Sequence, residues 1–68
     1  MRDLLKCKIQ ERINTSNAIM GVFIDGNGKI SEEVMFIFDS LKKKDGDKKA
    51  KQITNLLNTK LKNNENQI

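Results

Sequence analysis

Ala18-Ile19-Met20-Gly21-Val22-Phe23-Ile24-Asp25 is the stretch on which the fold turns. Its apolar density is that of a buried strand. Yet Leu5, Ile9, Ile13, Met20 and Ile24 recur at intervals of four, four, seven and four, the stripe of an amphipathic helix. Read by the stripe, residues 3–24 form one helix. Read by density, the chain breaks at Asn14-Thr15-Ser16-Asn17, whose short polar side chains compete for backbone hydrogen bonds, and a strand occupies residues 18–25. The two readings lie close together, and the stripe carries the preferred one.

Downstream, Asp25-Gly26-Asn27-Gly28 concentrates turn-forming residues and breaks whatever precedes it. Ser31 then suits a helix N-cap, Glu32 and Glu33 favour a first turn, and Ile30 is placed to staple toward Met35. Ile30, Val34, Ile37, Phe38 and Leu41 fall on one helical face, with Lys42 to Lys44 at its carboxyl end and Asp45-Gly46-Asp47 as the closing turn. A further helix is expected from Lys48 to Lys62, with Ala50, Ile53, Leu56, Leu57 and Leu61 on one side. The expected fold is therefore all-α, a small three-helix assembly with helices at about 3–24, 32–44 and 48–62. The alternative is α+β with a strand at about 18–25. Either way residues 1–62 make one domain and 63–68 a polar tail.

Over the turn, Asp25, Asn27, the carbonyl of Lys29 and Ser31 resemble the middle of an EF-hand calcium loop. The first acidic ligand of that family falls on Phe23, and the closing bidentate glutamate on Val34, with Glu33 one residue early. Gly21-Val22-Phe23-Ile24-Asp25-Gly26-Asn27 resembles the first strand of the NYN and PIN-type ribonucleases, in which a strand-end aspartate helps hold a catalytic metal. The later carboxylate-bearing strands of those folds have no counterpart in 68 residues. Neither metal nor cofactor is expected.

Composition narrows the chemistry further. The chain has no histidine, and its single cysteine, Cys7, sits between Lys6 and Lys8 without a base partner, so triad and general-base chemistry are not expected. Gly26-Asn27-Gly28-Lys29 lacks the spacing of a phosphate-binding P-loop. One cysteine allows no internal disulfide and points to a reducing compartment. The amino terminus carries no apolar run of signal-peptide length, and the longest apolar run is Val34 to Phe38. A cytoplasmic protein that does not enter the membrane is expected.

A chain of this length has a marginal core and commonly completes it with a partner. Met35 and Phe36 fall off the main helical face and, with Val22 and Phe23, are the expected partner interface, for a homodimer or another protein. The net charge is +4, and eight lysines against three acidic residues follow Leu41. The alternative site is therefore a nucleic-acid surface made of Lys42, Lys43, Lys44, Lys48, Lys49 and Lys51, with Asn55 and Asn58 as base readers. The expected function is that of a small non-enzymatic regulatory or inhibitory protein acting by protein–protein contact, and its size with abundant Lys, Asn and Ile, not any motif, suggests a phage or low-GC bacterial type. The alternative is a nucleic-acid-binding accessory protein.

Overall fold

A computed structural model describes the backbone of residues 2–66 and the side chains of residues 2–63. It contains three antiparallel strands in the order β1-β2-β3, namely β1 (Arg2–Gln10), β2 (Ala18–Asp25) and β3 (Ile30–Phe36), followed by one helix, α1 (Lys43–Asn66). The fold is α+β. The expected three-helix assembly is thus overturned: residues 3–24 form two strands and a loop, residues 32–44 are mostly the third strand and a connection, and only the last helix is present.

The reason lies in the ambiguity of a four-residue spacing. Leu5 and Ile9, Met20 and Ile24, or Ile30 and Val34 share a face on a helix, but positions four apart share a face on a strand as well. The residue midway decides between them. Cys7 and Val22 are apolar and buried, and the flanking Lys6 and Lys8 are exposed, which is the alternation of a strand. Register departs from strict alternation at two bulges, where Leu5 in β1 and Met35 in β3 are the extra residues.

Asp25 to Lys29 closes the second hairpin. The Asp25 amide donates to the Lys29 carbonyl and the Gly28 amide to the Asp25 carbonyl, both at 3.1 Å, while Gly28 adopts φ of 83°. This is a three-residue loop ending in a left-handed glycine. The break expected between two helices is a hairpin turn, and Ser31 lies within β3, where it pairs with Phe23 instead of capping a helix.

Helix α1 begins earlier than predicted, at Lys43, where the Lys42 carbonyl accepts the first helical bond from Gly46 at 2.8 Å. Asp45-Gly46-Asp47, expected to stop a helix, forms its first turn. Tertiary packing overrides the glycine's weak helix propensity here, because a Cβ on Gly46 would lie 2.0 Å from the Ser16 hydroxyl and 2.3 Å from its Cβ. The helix continues to Asn66, so residues 63–66 of the expected tail are helical, and Gln67 and Ile68 lie outside the described residues.

One face of the sheet carries the core. Cys7, Ile19 and Ala50 are its buried centre, with Leu4, Ile9, Met35, Phe38, Ile53 and Leu57 packed around them. Gly46, Ala50, Ile53, Leu57 and Leu61 repeat every three to four positions along α1 and turn toward the sheet. The helix lies over β1 and β2, no Cα of it comes within 8 Å of one in β3, and β3 reaches the core through the Met35 side chain. With principal extents of 39 × 24 × 14 Å, the molecule is two layers thick, and the second face of the sheet has no layer over it. Among the described residues no helix is long and apolar enough to cross a membrane.

Candidate protein interface

The two edges of the sheet differ. At β1, the Asn58 side chain of α1 meets the backbone of Cys7: its Oδ1 accepts from the Cys7 amide at 2.7 Å and its Nδ2 donates to the Cys7 carbonyl at 2.8 Å. A carboxamide has the same donor and acceptor as a peptide unit, so Asn58 occupies the edge as one residue of an added strand would. This fixes which backbone groups of each strand point outward. Because Cys7 uses its amide and carbonyl at the edge, its partner Gly21 bonds the other way, to Glu33, and alternation then turns the polar groups of Ile30, Glu32 and Val34 to the free side of β3.

Large apolar side chains are exposed along this edge strand and just after it. Ile30, Val34, Phe36, Ile37 and Leu41 are each between 44% and 60% exposed, a run of large hydrophobic side chains along β3 and the segment after it. The charges beside them are already paired. Glu33 bonds to the Arg2 guanidinium, which lies 4.2 Å over the Phe23 ring, and Lys8 pairs with Glu32 across β2 on the open face. The Arg2 bond holds the Glu33 carboxyl below the usual carboxylate range and raises the Arg2 guanidinium.

A second constellation ties loop 11–17 to the first turn of α1. The Asn17 amide donates to Asp47 Oδ1 at 2.6 Å, and Lys43 Nζ reaches the carbonyls of Arg12 and Thr15 and the Asp47 carboxylate. Arg12 in turn pairs with Asp39, and Asn17 Oδ1 accepts from the Arg12 amide. The Asn17 amide first, and Lys43 second, lower the Asp47 pKa. Beside this network an open cleft of about 630 Å³ is lined by Ile9, Glu11, Asn17, Asp47, Lys48, Lys51 and Asn55.

The predicted interface residues do not form one surface. Val22 is buried, Phe23 lies half-buried under Arg2, and Met35 points inward with its Sδ 4.0 Å from Cys7 Sγ, leaving Phe36 exposed. Ile30, Val34, Ile37 and Leu41 join Phe36 in the exposed run, although the helical reading had assigned all four to a buried face. No local signal marked them, because Ile30 and Val34 stand four apart with Glu32 between them, a spacing that fits a helix and a strand alike.

Of the predicted nucleic-acid residues, Lys48, Lys51 and Asn55 share the cleft, while Lys42, Lys44 and Lys49 are exposed elsewhere at the amino-terminal end of α1 or just before it. Lys43 is occupied by the loop network and Asn58 by the β1 edge. In the turn, Asp25 Oδ1 accepts from the Asn27 and Lys29 amides, and that bonding accounts for the aspartate without a cation. The Cys7 thiol is buried, and burial pushes its pKa up, away from the reactive thiolate. No protein-family model, curated protein or solved structure matches this chain.

Proposed function

We propose that this chain is a small non-enzymatic regulatory protein that acts by protein–protein contact through β3, in a reducing, cytoplasmic setting. The carrying observation is the open edge of the sheet: β3 pairs on one side with β2 alone, is not covered by the backbone of α1, keeps the polar groups of alternate residues outward, and with the segment after it carries five half-exposed apolar side chains. Strand addition uses these two ingredients, main-chain hydrogen bonds for affinity and apolar side chains for fit.

The nucleic-acid reading has less to support it. Lys48, Lys51 and Asn55 do converge, but Glu11 and Asp47 line the same cleft, and two of the residues it needs, Lys43 and Asn58, are bonded within the fold. A photo-crosslinking residue placed at position 34 in one preparation and at position 51 in another separates the readings in the native host. Polypeptide adducts from position 34 are expected. Nucleic-acid adducts from position 51, with none of polypeptide from position 34, would overturn the proposal.

A further inference from the structure

We propose that the free edge of β3 is filled by β3 of a second copy, antiparallel and centred on Glu32, closing a two-fold dimer with a continuous six-stranded sheet. The inference rests on the functional reading of β3 and names its occupant. Three features lead to it.

The first is the asymmetry of the edges. If copies joined β1 to β3, each addition would leave both edge types open again and the sheet would run on as a polymer. Asn58 fills the amide and carbonyl of Cys7 and removes β1 from that choice. Only β3 is left to pair with itself, and a strand that pairs with its own copy closes after one step.

The second is complementarity. The outward polar groups belong to Ile30, Glu32 and Val34, and a dyad at Glu32 sets Ile30 of one chain opposite Val34 of the other, twice. Both side chains are half-exposed in the single chain, at 51% and 50%, and each would be covered by the other. Glu32 meets its own copy at the dyad, where each carboxylate already carries Lys8 of its own chain. The edge thus presents no unpaired charge that would select a basic or acidic stranger.

The third is the size of the core. Cys7, Ala18, Ile19, Val22 and Ala50 are the buried hydrophobic residues of the described chain, and three of them are small. So thin a core gains from any further apolar burial, such as that of Ile30 and Val34 at a shared edge, and the one surface present wherever the chain is made is another copy of it.

The full chain carrying Ile30→Cys and Val34→Cys tests the register. Within one chain these positions stand about 13 Å apart along the strand, beyond disulfide reach, whereas across the proposed dyad they are directly opposed. Mild oxidation is expected to yield a covalent dimer whose peptides link position 30 to position 34; no dimer, or links between other positions, overturns the register. By sedimentation the wild-type chain is expected as a dimer, Ile30→Lys with Val34→Lys as a monomer of unchanged far-UV spectrum, and Asn58→Leu as species larger than a dimer.

If the double lysine variant does not fold, the disulfide arm decides alone. An Asn58→Leu chain that stays dimeric overturns the role given to that edge. A wild-type chain that remains monomeric to hundreds of micromolar overturns the inference. Should position 34 then still crosslink to a different polypeptide, the functional reading survives without it, and with no such adduct both fall.

Discussion

Gly46 and Thr54 show how much of this fold depends on single side chains. A methyl group at Gly46 meets both Cβ and Oγ of Ser16, which is itself buried at 1% exposure, so the helix cannot yield toward the loop. Gly46→Ala is expected to cost about 1–3 kcal/mol by urea denaturation, despite alanine's better helix propensity. Gly21→Ala should cost less, because the nearest atom there, Met35 Sδ at 2.5 Å, is the far part of a flexible side chain. Thr54 works in the opposite direction. Its buried hydroxyl has no hydrogen-bond partner among the described residues, so Thr54→Val is expected to stabilise the chain by about 1 kcal/mol, and an unchanged or lowered urea midpoint would contradict this. At Cys7, where burial raises the thiol pKa, reaction with a thiol reagent is expected at the rate of unfolding, with a burst only in denaturant.

Among the elements, loop 11–17 and the first turn of α1 form one electrostatic unit centred on Asp47. Its folded pKa is depressed, by the Asn17 amide and then by Lys43, so the stability it contributes is present above the ordinary carboxylate value of about 4. That contribution is lost as pH falls through the lower, folded value. Asp47→Asn keeps an oxygen to accept from Asn17 but removes the charge, and should flatten the acid side of the stability profile. An unaltered slope would show that Asp47 is not its source.

The elements also show what could be read in advance. The strand boundaries at 18 and 25, weighed as the alternative, are those of β2, and the carboxyl-terminal helix was legible because Ala50, Ile53, Leu57 and Leu61 are spaced at three and four, a mixture that no strand reproduces. The pairs Leu5/Ile9 and Ile30/Val34 carried no such information, since a spacing of four fits both periods. Ser31-Glu32-Glu33 has the local chemistry of a helix start, and the sheet overrides it through the pairing of β3 with β2, to which Arg2 and Lys8, from a strand more than twenty residues away, add ion pairs with both glutamates. That long-range pairing lies outside any local window, and with it went the identity of the exposed residues on β3.

At the scale of the molecule, the domain has two layers, one bare sheet face and a free edge at β3. If a second copy fills that edge and the fold depends on it, folding and association are one equilibrium, and the melting temperature must rise with protein concentration. Thermal melts across a hundredfold concentration range are expected to shift upward by several degrees. A midpoint independent of concentration would mean that a single copy of the chain suffices for its own stability.

The pairing of Asn58 with Cys7 also places a demand on synthesis. The chain emerges amino terminus first, so β1, β2 and β3 leave the ribosome before the residue that seals the β1 edge. Until α1 has emerged and docked, both sides of the nascent sheet are open to neighbouring chains on the same messenger. The exposure of the β1 edge ends only when α1 docks, which makes the helix this sheet's own late-acting chaperone on that side.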